Sequence, residues 1–95
     1  MNLRWSRRAL ADLDRSAARI AVDNPPAASE FAAATITQAS RLMRFPLLGR
    51  PGPFGETREL VMHRNYIVTY RLRDEEIQVV QVWHVARDRP RGRKA

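Results

Sequence analysis

The sequence predicts an α+β fold, in which an N-terminal helical hairpin packs on one face of a small antiparallel β-sheet in the order β-α-α-β-β-β. Two observations predict this arrangement. In the first half, apolar residues recur at helical intervals, whereas the second half contains three stretches with the composition of strands. Between the halves, Leu47–Gly55 is rich in glycine and proline, which predicts a loop.

The first half opens with a short candidate edge strand, Asn2–Trp5, and Ser6 follows it as the predicted N-cap of a helix. Asp12 is assigned to a solvated face of that helix, where its charge alternates with those of neighbouring arginines. The run Asn24-Pro25-Pro26 ends the helix, because a residue before proline is pushed out of the α region. The predicted buried stripe consists of Leu10, Leu13, Ala17 and Ile20.

A second helix is predicted from Ala27 to about Arg44, and Phe45-Pro46 ends it. Asn24 is its candidate N-cap, since proline is tolerated in a first helical turn, where its missing N–H has no partner to lose. Only a few residues connect the two helices, which predicts an antiparallel hairpin. The apolar face of the second helix is predicted to hold Phe31, Ala32, Thr35, Ile36, Ala39, Leu42 and Met43.

Three strands are predicted in the second half: Thr57–Met62, Tyr66–Leu72 and Ile77–Val85. The segments between them are short enough for hairpins. The third strand is apolar on both faces and is therefore predicted to be central in the sheet. The glycines of the preceding loop do not predict a phosphate cradle, because no Gly-Lys-Ser/Thr and no helix follow them.

Composition limits the classes of function. A chain of 95 residues without cysteine is expected to form one domain without disulfides, a thiolate zinc site or a cysteine nucleophile. With only two histidines, no metal and no other cofactor is expected. The N-terminus is charged from Arg4 onward and carries no apolar signal region, and no apolar run is long enough to span a membrane. The expected location is the cytoplasm.

The charge balance predicts an acidic partner. Lys and Arg number 17 against 10 Asp and Glu, a net charge of +7, and all but one of the basic residues are arginine. Arginine pairs bidentately with carboxylate or phosphate, so nucleic acid and an acidic protein segment both remain open. Residues 89–95 form a basic tail that is expected to be flexible and to serve contacts more than folding.

Four segments resemble the RelE/ParE superfamily of toxins from bacterial type II toxin–antitoxin modules. Phe45–Gly52 resembles an FP-x-x-GRPG segment of that family, and Val82–Asp88 resembles its V-x-H-x-x-RD ending. Thr57–Leu60 and Tyr66–Leu72 are similar to two of its strands. The resemblance extends over roughly residues 3–90, and the order of helices and strands fits the family as well.

The resemblance implies that residues 1–95 form a single toxin domain that inhibits growth, as in stress-response modules, and that a cognate antitoxin neutralises it in a hetero-oligomer. It also implies two alternative targets. ParE-like members poison DNA gyrase, whereas RelE-like members are endoribonucleases that cut messenger RNA on the ribosome. Whether the chain is an enzyme depends on which of the two activities it has.

If the chain is RelE-like, its candidate catalytic residues are Arg58, His84 and Arg87. RNA cleavage needs a base, an acid and cations that hold the scissile phosphate. His84 has a side chain suited to proton transfer near neutral pH, and the two arginines align with cationic positions of the nucleases. In an antiparallel sheet the three residues are expected to be neighbours. A purely structural role for His84 beside Trp83 remains open.

The match to the nucleases is incomplete. Ile67 stands where those enzymes usually carry an arginine, and Leu60 stands where a second basic residue is expected. No tyrosine follows Tyr70, although several of the nucleases carry one near the C-terminus. Poor stabilisation of charge on the phosphate is expected as a result. The resemblance therefore favours ParE-like poisoning of gyrase, with the RelE-like messenger RNA endoribonuclease as the alternative.

Overall fold

The computed structural model describes residues 1–88, and it confirms the predicted fold class. Two helices pack on one sheet, in the predicted order of elements. Single 3₁₀ turns, Arg41–Met43 and His63–Asn65, stand after the second helix and before the fourth strand. The predicted basic tail, residues 89–95, lies outside the described residues. The elements are β1 (Asn2–Trp5), α1 (Arg7–Ala21), α2 (Pro25–Ser40), β2 (Arg50–Pro51), β3 (Thr57–Val61), β4 (Tyr66–Arg73) and β5 (Glu76–His84).

The sheet has five strands in the order β1-β5-β4-β3-β2. The pairs from β5 to β2 are antiparallel, as predicted, but β1 runs parallel to β5, with Leu3 opposite Ile77. The sheet is therefore mixed. A two-residue strand, β2, also occurs within the segment predicted as a loop. β5 is internal, as its apolar pattern predicted, although β4 is the middle strand.

Both predicted helix caps are confirmed. Ser6 Oγ accepts the Ala9 N–H at 3.0 Å, and Asn24 Oδ1 accepts the Ala27 N–H at 3.1 Å. Each bond satisfies one of the N–H groups that a helix start leaves without an intrahelical partner. The α-helical part of α2 ends at Ser40, earlier than predicted, because its last turn tightens into a 3₁₀ turn.

The buried face of α1 differs from the predicted stripe. Leu10 is 50% exposed, whereas Ala9 is fully buried and Leu13 nearly so. Ile36 in α2 and Met43 in the 3₁₀ turn that follows are likewise exposed, although the prediction had placed them on the apolar face. Ala9 and Leu13 belong to the core, and because an α-helix turns by about 100° per residue, a buried face that holds these two directs Leu10 toward solvent.

Asp12 is buried, with 5% of its surface exposed, which contradicts its assignment to a solvated face. The parallel pairing of β1 with β5 ends at Val79, so within residues 1–88 the outer edge of β5 has no strand partner beyond that residue. There Asp12 Oδ2 accepts the Val82 N–H at 3.0 Å, and Ser6 Oγ donates to the Val80 carbonyl at 3.2 Å. The Ser6 and Asp12 side chains thus form hydrogen bonds with backbone groups that would otherwise be unpaired at the edge of the sheet.

A buried tyrosine fixes the segment between α2 and β2. Tyr70, on β4, is fully buried, and its hydroxyl donates to the Pro46 carbonyl at 2.8 Å. The same oxygen accepts the Gly49 N–H at 2.9 Å. A Cβ added at Gly49 would lie 2.8 Å from the Glu59 carbonyl oxygen and 2.7 Å from the Tyr70 ring. Only glycine therefore fits here without movement of β3 or the tyrosine.

Candidate functional site

His84 stands at the end of β5 with its ring held in one orientation. Its Nδ1 accepts the N–H groups of Ala86 and Arg87 at 3.1 and 3.3 Å. The ring also packs edge-on against Tyr66, with the ring centroids 5.0 Å apart. Because Nδ1 acts as an acceptor, the neutral ring carries its proton on Nε2, which is the nitrogen left to contact a ligand.

The chain that follows β5 is tied back to His84 and to α1. Asp88 Oδ2 accepts the His84 N–H at 3.1 Å, and the Asp88 N–H donates to the His84 carbonyl at 2.9 Å. Asp88 also forms an ion pair with Arg19 of α1, at 3.6 Å. These contacts hold the backbone on both sides of Arg87 in place.

A cavity of about 360 Å³ opens beside His84, between the turn that joins the helices and the end of β5. Its lining is strongly basic, with three arginines against a single aspartate. The residues that line it are Arg19, Ile20, Asp23, Asn24, Arg64, Tyr66, His84 and Arg87. A site of this charge favours anions.

Two of the three arginines have no acidic partner within residues 1–88. Arg64 and Arg87 are exposed, and neither guanidinium forms an ion pair or side-chain hydrogen bond in this part of the chain. Most other described arginines are paired, for example Arg15 with Asp12 and Arg50 with Glu59. The cavity therefore gathers positive charge that the fold itself does not neutralise.

The turn that carries Arg64 has an unusual backbone. Both Arg64 and Asn65 have φ angles of 65°, in the left-handed region that non-glycine residues seldom adopt. The Val85 N–H donates to the Asn65 carbonyl at 2.9 Å, which fixes this turn against the chain that follows β5. Asp74 and Glu75, in the turn between β4 and β5, also have positive φ angles, as hairpin turns commonly require.

Arg58 does not belong to this cavity, which corrects the expectation that it neighbours His84. In the sheet register Arg58 is opposite Tyr70, whereas His84 is opposite Tyr66. Four residues along β4 and two strand spacings separate the positions, roughly 16 Å. The Arg58 side chain instead donates to the carbonyls of Gly49 and Leu47, at 3.0 and 3.3 Å.

The positions that would carry further cations in a nuclease are buried. Leu60 is 9% exposed and lies in the hydrophobic core, opposite Val68. Ile67 is 3% exposed, and because side chains alternate along a strand it points to the opposite face from Val68. These two positions therefore contribute no charge to the cavity.

Sequence reasoning placed His84 and Arg87 together but missed Arg19, Arg64 and Tyr66. Arg19 is among the arginines that neighbour Asp12 on the helix face predicted to be solvated, and Arg64 lies in one of the short segments predicted as hairpin turns. A signal for both existed in the order of elements: if α1 lies along β5, the end of the helix comes close to the end of that strand. Tyr66 belongs to the hydrophobic core and also lines the cavity.

Within residues 1–88, no group of three or more His, Asp or Glu residues is arranged to hold a metal ion. None of the helices in that part of the chain is both long and apolar enough to cross a membrane.

A family model described as the ParE toxin of the type II toxin–antitoxin system parDE matches residues 3–89. The chain is 37% identical over 89 residues to "Putative toxin Y4kP" of Sinorhizobium fredii, with 93% of this chain and 92% of the relative covered. It is 35% identical over 83 residues to toxin RelE2 of Caulobacter vibrioides, with 87% and 93% covered.

A solved structure described as the chromosomal ParDE TA system from P. aeruginosa matches with a TM-score of 0.81. The identity is 28%, and the match covers 90% of this chain and 96% of the other. The names of these relatives include both ParE and RelE types, so their similarity supports the superfamily rather than one target.

Proposed function

The chain belongs to the ParE toxin family of type II toxin–antitoxin systems, and from this premise we propose that it arrests growth by poisoning DNA gyrase. The burial of Leu60 and Ile67 is the observation that favours gyrase poisoning over a nuclease activity. An RNA-cleaving relative is expected to carry cations there, and a buried leucine and isoleucine cannot hold a scissile phosphate. Removing one donor that stabilises a developing oxyanion costs about 10²–10³-fold in rate in other enzymes.

The remaining groups supply only part of the nuclease machinery. His84 alone accounts for general acid–base help on the order of 10²–10⁴-fold. Arg58 donates to two backbone carbonyls, and its position in the sheet is distant from that of His84. No tyrosine follows Tyr70 in the sequence to act as a second acid or base. This incomplete set supports an activity that needs no RNA chemistry.

The alternative is a RelE-like endoribonuclease that cuts messenger RNA on the ribosome. One observation favours it: His84 and Arg87 line the same cationic cavity. In that case His84 would transfer the proton through Nε2 and Arg87 would hold the phosphate, with Arg58 contributing only indirectly. A supercoiling assay with purified gyrase, and an examination of gyrase and messenger RNA in cells, distinguish the two activities.

The partner that the family membership supports is a cognate antitoxin, in a toxin–antitoxin complex. We propose that an antitoxin segment adds to the sheet along β1. Within residues 1–88 the two edge strands are β1 and β2, and β2 consists of only two residues. One of these is Pro51, which has no N–H to donate to an added strand. β1 is longer and offers a continuous edge for strand addition.

The proposed target predicts the outcome of an assay with purified components. Full-length chain, released from its antitoxin, is expected to inhibit DNA supercoiling by gyrase and to trap cleaved DNA. Addition of antitoxin in equal amount is expected to restore supercoiling, because the toxin is then sequestered. A heat-unfolded sample serves as control. Undisturbed supercoiling at a several-fold excess of folded toxin over gyrase would contradict the proposed target.

A further inference from the structure

We propose that the turn formed by residues 45–48 is a docking surface for a folded protein whose receiving cleft is apolar and rimmed by acidic groups. Three exposed apolar side chains, those of Phe45, Leu47 and Leu48, stand there beside the guanidinium of Arg44, which has no acidic partner in residues 1–88. The inference rests on the proposed function, under which the folded protein is gyrase, and it identifies the surface of the toxin that gyrase contacts.

The apolar side chains of this turn face solvent rather than the core. Phe45, Leu47 and Leu48 are 50%, 64% and 41% exposed, and Met43, just before them, is exposed as well. Single exposed apolar residues are ordinary on a protein surface, whereas several together mark an interaction site. Folding does not account for them, because an apolar side chain stabilises a fold only to the extent that water is removed from it.

The backbone of the turn is held in place from the sheet. The hydroxyl of the fully buried Tyr70 donates to the Pro46 carbonyl at 2.8 Å. Arg58 donates to the carbonyls of Leu47 and Gly49, at 3.3 and 3.0 Å. Arg58 therefore acts on this surface through the backbone that it positions. A surface that is ordered before its partner arrives loses little conformational entropy on binding, which favours affinity.

The charges around the turn favour an acidic partner. The Arg44 guanidinium lies 5.7 Å from the centroid of the Phe45 ring, and Arg41, just before it in the chain, is exposed and likewise forms no ion pair within residues 1–88. From residue 41 to residue 58 the sequence contains a single acidic residue, Glu56, and it is paired with Arg73. Positive charge beside apolar side chains is complementary to an apolar cleft with an acidic rim.

The position of the turn favours the target over the antitoxin as the occupant. The turn is bonded to Tyr70 of β4 and Arg58 of β3, and β5 stands between β4 and β1. A strand added to the outer edge of β1 would lie three strand spacings from β4, about 14 Å, and would extend the sheet away from the turn. A projecting apolar turn also needs a cleft to receive it, which a folded protein offers and an added strand does not.

The test is the affinity of the purified full-length chain, released from its antitoxin, for purified gyrase, measured by surface plasmon resonance. Phe45→Ser and Leu47→Ser are each expected to weaken binding about tenfold, because each removes an apolar anchor from the interface. Arg44→Glu is expected to weaken it by a similar factor and to make the remaining binding less sensitive to salt. Thermal unfolding is expected to change little, since all three side chains are exposed.

Val22→Ser and Arg7→Glu are the matched controls. Val22 is 81% exposed and precedes Asp23, which lines the cavity where β4 begins, roughly 13 Å along β4 from Tyr70. Arg7→Glu makes the same change in net charge as Arg44→Glu but on α1. Both control variants are expected to bind gyrase as the native chain does. An equal loss of binding in the controls, or no loss in the variants of the turn, would overturn the proposal.

Measurements of antitoxin binding and of self-association distinguish the other occupants. The variants of the turn are expected to bind antitoxin with native affinity. An equal loss of antitoxin binding would assign the turn to the antitoxin, and a native dimer that these variants dissociate, with gyrase binding unchanged, would assign it to a second copy of the chain. Either result would overturn the proposal. A native chain that does not bind gyrase refutes the proposed target and this assignment with it, whereas a native chain that binds gyrase no more tightly than the variants of the turn refutes this docking surface alone.

Discussion

Replacing Asp12 by alanine is expected to lower the free energy of unfolding by about 3 kcal/mol, because a buried carboxylate with several partners is lost. Its Oδ2 accepts the buried Val82 N–H at 3.0 Å, and no strand of residues 1–88 pairs with that edge of β5 to supply another acceptor. Its Oδ1 accepts from Arg15 at 2.6 Å, and Arg8 lies 3.6 Å from Oδ2. In a domain of this size the melting temperature should fall by roughly 10–20 °C.

Asp14→Ala is the matched control for this prediction. Asp14 lies on the same helix but is exposed and has no ion pair or hydrogen bond through its side chain in residues 1–88. Its replacement is expected to change the free energy of unfolding by less than about 0.5 kcal/mol. Asp12→Asn should fall between the two, since it keeps an acceptor for Val82 and loses the charge. Equal stability of the two alanine variants in denaturant titrations would refute the role given to Asp12.

Replacing Gly49 by alanine is expected to destabilise the fold by about 2 kcal/mol or more, because a methyl group has no room there. The added Cβ would stand 2.8 Å from the Glu59 carbonyl oxygen and 2.7 Å from Tyr70 Cε1. Either β2 separates from β3 or the Tyr70 ring moves, and movement of the ring breaks its bonds to Pro46 and Gly49. Chemical denaturation measures the effect.

A double variant distinguishes this clash from a general effect on the loop. Tyr70→Phe removes the hydroxyl, which is one of the three atoms closest to the added Cβ. The losses from Gly49→Ala and Tyr70→Phe should therefore sum to more than the loss in the double variant. Gly55→Asn is the control, since no atom lies within 4 Å of a Cβ there, and asparagine tolerates the φ of +44°. Strictly additive losses would exclude a shared contact between Gly49 and Tyr70.

Local features of the fold were predictable from the sequence. Ser6 and Asn24 cap their helices because each side-chain oxygen reaches an N–H only three residues ahead, and this geometry requires no knowledge of the rest of the chain. The strand predicted for residues 66–72 likewise follows from the composition of one segment, and β4 covers that segment.

Features set by distant contacts were not predictable in the same way. Asp12 has the spacing of a surface charge on α1, and only its contact with Val82, 70 residues away, explains its burial. The parallel direction of β1 results from its pairing with β5, at the other end of the chain. A single sequence carries no local signal for either contact.

In the candidate site, too, local features were predictable from the sequence and features set by distant contacts were not. His84 and Arg87 are close in the chain, and their proximity in space followed from the sequence. Arg58 was expected beside them, but the antiparallel register of β3, β4 and β5 places it toward the opposite end of the sheet. Arg64 enters the cavity through a left-handed turn, and the sequence His63-Arg64-Asn65 indicated a turn without its handedness.

The most direct test of the central claim is induction of the chain in cells that lack its antitoxin, with gyrase and messenger RNA examined in the same culture. Gyrase is expected to become trapped on cleaved DNA, the DNA-damage response to begin and cells to filament, while messenger RNA stays intact. Induction together with the antitoxin should abolish these effects. Codon-phased cuts in ribosome-bound messenger RNA that disappear in His84→Ala or Arg87→Ala, without trapped gyrase, would contradict the account and establish the RelE-like activity.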